Sequence, residues 1–154
     1  MLNRLQAVFA SFHARDCRYL VLGGIAAVLY GVPRATFDLD ILIEASPDNA
    51  GRLLEALMEA QMGTAALITP EELLANEITV FNDRVRVDVQ TSTPGLDFES
   101  AWRRRVTMHY QGQAFYVVSR EDLIASKRAA GRRVDLEDVR ILERSGSEAA
   151  QELE

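Results

Sequence analysis

The ten residues RATFDLDILI, Arg34 to Ile43, set two aspartates two positions apart inside an apolar run. Gly-Val-Pro ahead of the run and Ser-Pro-Asp behind it are turn signals, so the segment reads as a short β-strand bounded at both ends. Side chains alternate on a strand. Phe37, Leu39, Ile41 and Ile43 are therefore expected to face a core, leaving Asp38 and Asp40 side by side on the opposite face. Aspartate is disfavoured in strands and neighbouring like charges repel, so the arrangement points to a positively charged partner rather than to a solvated edge.

A chain of 154 residues is about one domain, long enough to bury a core without covalent staples. Its 17 basic and 23 acidic residues leave a net charge of -6, which argues against a general nucleic-acid coat. Cys17 is the single cysteine. That excludes a disulfide framework and a Cys-rich zinc site, assigns Cys17 to core packing, and fits a reducing compartment. The first residues lack a signal-peptide core, and the longest apolar run, Tyr19 to Val32, is broken by Gly23 and Gly24. A cytoplasmic protein with no membrane partner is expected.

Along the chain, Leu2, Leu5, Val8, Phe9 and Phe12 recur at helical spacing. A strand over Tyr19–Leu22 then runs into Gly23-Gly24 and a short buried helix ending at Gly31. After the aspartate strand, Ser46 or Asp48 is expected to cap a helix through Leu53, Leu54, Leu57 and Met58, with Gly63 as its stop. EITVFNDRVRVDVQTS reads as two strands joined at Asn82-Asp83, with Val85, Val87 and Val89 on one face and Asp88 on the other. A second hairpin is expected from Val106 to Val118 around Gln111-Gly112. Helices follow over about Ser119 to Ala130 and Asp135 to about Leu142, with a frayed tail from about residue 145. The pattern is a single α+β domain over 1–154, a mixed β-sheet flanked by helices with a helical C-terminus.

Two strand aspartates at i and i+2, with Asp88 on a neighbouring strand, suit a pair of divalent cations, because hard carboxylate oxygens can reach or bridge them. A Gly-Gly turn between strand and helix lets phosphate approach backbone N–H groups. In these features, Gly23, Gly24, Asp38 and Asp40, the chain resembles the nucleotidyltransferase (DNA polymerase β-like) superfamily. More narrowly, GGIAAVLYGVPRATFDLDILI together with VVSREDLIASKRAAGRRVDLEDVRIL is similar to the small AbiEii-type nucleotidyltransferases of toxin–antitoxin systems. The resemblance spans roughly residues 17 to 142.

The resemblance implies a nucleotidyltransferase fold and transfer of a nucleoside monophosphate from a nucleoside triphosphate to an acceptor hydroxyl, with release of pyrophosphate. Asp38 and Asp40 would hold Mg2+ or Mn2+, Asp88 would be the third carboxylate and general base, and Lys127 the family's helix lysine. The acceptor could be RNA such as tRNA, a protein or a small molecule, and an antitoxin is a possible partner chain. Where many relatives have Gly-Ser, this chain has Gly23-Gly24-Ile25, so phosphate contact would fall to backbone N–H groups.

Each site residue also has a plainer reading. Arg86 could simply pair with Asp88, and Gly23-Gly24 could be a tight turn for close helix packing. Arg34 and Thr36 precede the carboxylates, where a guanidinium would meet phosphate or orient an aspartate. Lys127 falls on the apolar face of its helix and needs a partner unless it snorkels. Asp138 is assigned to helix capping, and Asp135, itself a good N-cap, is kept as a further site candidate. Arg103, Arg104, Arg105, Arg128, Arg132 and Arg133 could form a basic rim for RNA, but such runs are more often solvated faces. His13 and His109 receive no role. The competing functions are a haloacid-dehalogenase-type phosphohydrolase, which lacks its expected threonine and later acidic loop, a sugar-nucleotide glycosyltransferase, which needs a longer chain, and a non-catalytic nucleotide-binding or antitoxin-like module on the same fold.

Overall fold

The computed structural model describes residues 2–153, with side chains from 2 to 146. A short 3-10 turn, Leu2–Arg4, leads into α1 (Gln6–Ala14), whose Val8, Phe9 and Phe12 are buried at the expected helical spacing. β1 (Tyr19–Leu22) is buried along its whole length and passes directly into α2 (Gly23–Leu29). β2 (Leu39–Ile43) and α3 (Pro47–Glu59) follow. Ser46 caps α3 by accepting a hydrogen bond from the Asn49 N–H.

α3 ends earlier than its glycine suggests. Gln61, at φ 66°, takes the left-handed position, and the Met62 N–H reaches back to the Leu57 carbonyl at 2.9 Å. Gly63 instead opens a second 3-10 turn, Gly63–Leu67. Two further helices, α4 (Pro70–Ala75) and α5 (Phe98–Arg103), lie where no helix was read in the sequence. Both are short and defined by their caps: Thr69 and Glu72 form a reciprocal capping box, and Asp97 accepts from the Ser100 N–H. A periodicity argument has too few turns to see them.

β3 (Ile78–Asn82) and β4 (Arg86–Gln90) form the expected hairpin, as do β5 (Val106–Tyr110) and β6 (Gln113–Val117) around Gln111 and Gly112. The strands make one six-stranded mixed sheet in the order β3-β4-β2-β1-β6-β5. β2 lies between antiparallel β1 and parallel β4, so its backbone is paired on both sides. α6 (Arg120–Ala130), capped by Ser119 and closed by left-handed Gly131, packs on α2 and α7 (Arg133–Leu153). α7 continues past the expected end near Leu142. Ala149, Ala150 and Glu152 are good helix formers, which fits the extension. Glu154 and the side chains from Ser147, where fraying was expected, lie outside the described residues. No described helix is long and apolar enough to cross a membrane.

One core expectation is corrected. Leu39, Ile41 and Ile43 are buried, but Phe37 is 72% exposed. The ladder explains the difference, because β1 pairs with β2 only as far as Leu22 opposite Asp40, and at Gly23 the chain turns into α2. Phe37 and Asp38 therefore precede the paired strand and have no ladder partner to set their faces.

Candidate active site

Asp40 is held by the centre of the sheet. Its Cα partner on parallel β4 is Asp88, so the two carboxylates stand side by side on one face of adjacent strands. Burial pushes the Asp40 carboxyl up to about 7, and the charge of Asp88, a hydrogen bond with Asp88 and the charge of Asp38 push the same way, while Lys127 opposes them. A near-neutral carboxyl of this kind can hold or release a proton at physiological pH.

Gly23 is the floor beneath that pair. Its φ is +70°, and a Cβ there would lie 2.3 Å from Asp40 Oδ2. Both the backbone conformation and the space thus demand glycine. At Gly24 a Cβ would come within 2.7 Å of Thr36 Oγ1 and 3.6 Å of an Arg34 guanidinium nitrogen, so Thr36 and Arg34 close over the turn. Gly23→Ala should lower stability by about 2–3 kcal/mol and displace the Asp40 carboxylate. Thermal melts with and without Mg2+ would check this. A variant as stable as the parent and equally responsive to the cation would show that the close approach is unimportant.

Across the cleft, Lys127 is buried on α6, as its apolar-face position implies. Its partners are Asp138 at 2.9 Å and Asp135 at 3.6 Å, rather than Asp38, Asp40 or Asp88. Arg34 reaches the same Asp138 oxygen at 2.9 Å. These are ion pairs by distance without well-aligned hydrogen bonds. The capping role assigned to Asp138 is thereby corrected. α7 begins at Arg133, so Asp138 lies a full turn inside the helix, facing α6. Asp135, expected as the N-cap, is instead the third residue of α7 and reaches back to accept from the Arg132 backbone N–H at 3.3 Å and the Arg132 side chain at 2.8 Å. Burial works against its ionisation, but the Arg132 hydrogen bonds and the charges of Arg132 and Lys127 hold its carboxyl below the usual range.

Gly23, Gly24, Arg34, Asp40, Asp88, Lys127 and Asp135 thus line one open cleft of about 360 Å³. Thr36 abuts it through Gly24. Asp38 stands apart, half exposed, lining a neighbouring groove with Phe37 and Arg86. Arg86 joins the two regions, forking onto Asp88 at 2.9 and 3.3 Å and lying 3.8 Å from Asp38. Among the described residues, no group of three or more His, Cys, Asp or Glu side chains is gathered closely enough to hold a metal ion. Asp40 and Asp88 fit a divalent cation as a hard oxygen pair, their mutual repulsion being what a cation would relieve.

Several arginines of the expected rim have partners within the fold. Arg104 forks onto buried Asp122 at 3.0 Å for both contacts, Arg105 stacks 3.9 Å from the Trp102 ring centroid, and Arg128 pairs with Glu143. Asp138 and the cleft lining at Ile78, Gln90 and Thr93-Pro94 are among the features the sequence reading did not assign to the site. The signal for Asp138 was its spacing after Asp135, which also suits a cap.

No curated protein matches the chain. The family described as "Nucleotidyltransferase of unknown function (DUF6036)" matches residues 3–145, nearly the whole length. The aspartate strand, the Gly-Gly turn and the helix lysine all fall within that match, and the chain belongs to this nucleotidyltransferase family.

Proposed function

We propose that the protein transfers a nucleoside monophosphate from a nucleoside triphosphate to an acceptor hydroxyl, releasing pyrophosphate, and that it does so with Mg2+ or Mn2+. The observation that carries this reading is the in-register Asp40–Asp88 pair over Gly23, facing Lys127, Arg34 and Arg132 across one cleft. Asp40 and Asp88 would hold the cation, with Asp38 as a further ligand, and a bound cation would neutralise charge on the phosphates. The Gly23-Gly24 turn leaves room for phosphate close to the backbone. Lys127 and Arg34, anchored through Asp138, place positive charge where a triphosphate would lie. Asp88 would accept the acceptor's proton as its oxygen bonds to the α-phosphorus and the bond to pyrophosphate breaks. An acceptor in RNA or protein would suit a toxin-like role with an antitoxin as partner chain.

A second reading has its own support. Asp38 lies outside the cleft and Arg86 occupies Asp88, as expected of a nucleotide-binding module that performs no chemistry. Incubation with each α-labelled triphosphate, Mg2+ and cellular RNA or lysate separates the two. Label transferred by the parent and not by Asp88→Asn is the expected result. Nucleotide binding without transfer by the parent would establish the module instead.

A further inference from the structure

The lining of the cleft divides by chemistry. One side carries Lys127 on α6 and Arg132 between α6 and α7, whereas its sheet-edge side, Ile78, Gln90, Thr93 and Pro94, bears no formal charge. Ile78 is 56% exposed on edge strand β3, and its cross-strand partner is Gln90. Directly opposed residues share a face, so both lie on the face that carries Asp88, which is opposed by Val80. The Gln90 side chain has no hydrogen-bond partner among the described residues. Thr93-Pro94 stands against α6 through Gly95, at φ +83°, where a Cβ would lie 2.8 Å from the Ala125 carbonyl oxygen. That close packing fixes the Thr93-Pro94 segment where it lines the cleft.

We propose that Ile78, Gln90 and the Thr93-Pro94 wall form the base-recognition subsite for the nucleoside triphosphate, a proposal that rests on the nucleotidyltransferase reading above. One two-residue step along β4, about 6.6–6.8 Å, separates Gln90 from Asp88. That is roughly the length of a ribose, so a base at Gln90 leaves its 5′ phosphate at the carboxylate pair. Ile78 offers apolar contact to the face of a planar base. The Gln90 amide carries a donor beside an acceptor and can read a base edge presenting the reverse pattern, which a carboxylate or an ammonium could not.

The test is calorimetric titration of the full chain, in Mg2+, with ATP, GTP, CTP, UTP and inorganic tripolyphosphate, for the parent, Ile78→Ala and Gln90→Ala. The parent should bind its preferred nucleotide more tightly than tripolyphosphate. Ile78→Ala should weaken that nucleotide about tenfold and leave tripolyphosphate unchanged. Gln90→Ala should compress the ranking of the four nucleotides to within about threefold. Equal losses for nucleotide and tripolyphosphate, or an unchanged ranking in Gln90→Ala, would overturn the subsite while leaving the nucleotidyltransferase reading intact. Failure of the parent to bind any of the five ligands would overturn both. Melting temperatures matching the parent would show that substituting exposed Ile78 and half-buried Gln90 leaves the fold undisturbed.

Discussion

Asp138→Ala should melt about 6–12 °C below the parent, the equivalent of about 3 kcal/mol for a chain of this size. Asp138 receives Lys127 and Arg34 at one oxygen, each at 2.9 Å, and both it and Lys127 are buried. Its removal strands a buried ammonium, and breaking one side of a buried pair costs far more than the pair contributes. The expected loss lies at the low end of such values because Asp135, 3.6 Å away, still faces Lys127. Adding Lys127→Met should recover much of the lost stability, since the methionine keeps the apolar stem and helix propensity and removes the stranded charge. Triphosphate binding should not recover with it. A single variant that melts with the parent would show that α6 and α7 are joined by apolar packing alone, and full transfer activity in Lys127→Met would remove the lysine from the mechanism.

Asp40→Asn is expected to separate stability from activity. The folded Asp40 carboxyl is pushed up to about 7 from 3.8, so between those values the native state holds a proton that the unfolded chain has released. Stability contributed by this group therefore falls as pH rises through that window and levels off above it. An asparagine carries no charge and can donate its amide to Asp88. At pH 8 the variant should be more stable than the parent by on the order of 2 kcal/mol, allowing for the solvent that reaches the cleft, and the gain should vanish towards pH 4. Mg2+ should stabilise the parent increasingly as pH rises through 7, because the cation needs the ionised carboxylate, and should leave Asp40→Asn unaffected. Label transfer should be lost. Paired melts from pH 4 to 9, with and without Mg2+, provide the measurement, and a variant less stable than the parent at pH 8 would mean that the two carboxylates do not repel.

The main elements were legible because each carries a local signal. Alternation located β2 and β4, the Gly-Gly pair located the β1–α2 turn, and Ser46 and Ser119 located helix starts. Where that signal was short or ambiguous, the reading failed. α4 and α5 have too few turns for a period, and left-handed Gln61 ends α3 where glycine was expected.

Residue type and spacing were enough to determine that Asp40 stands on a strand whose alternate residues are buried and that Lys127 lies on the apolar face of its helix, since both follow from periods of two and about 3.6 residues within one element. Which charges meet was decided only by tertiary structure. The parallel register of β2 and β4 sets Asp40 beside Asp88, the end of the β1 ladder leaves Asp38 outside the cleft, and the packing of α6 on α7 gives Lys127 to Asp138. Strand order, register and helix docking are relations between distant segments, chosen by burial of the whole core, and no pattern within a single segment encodes them.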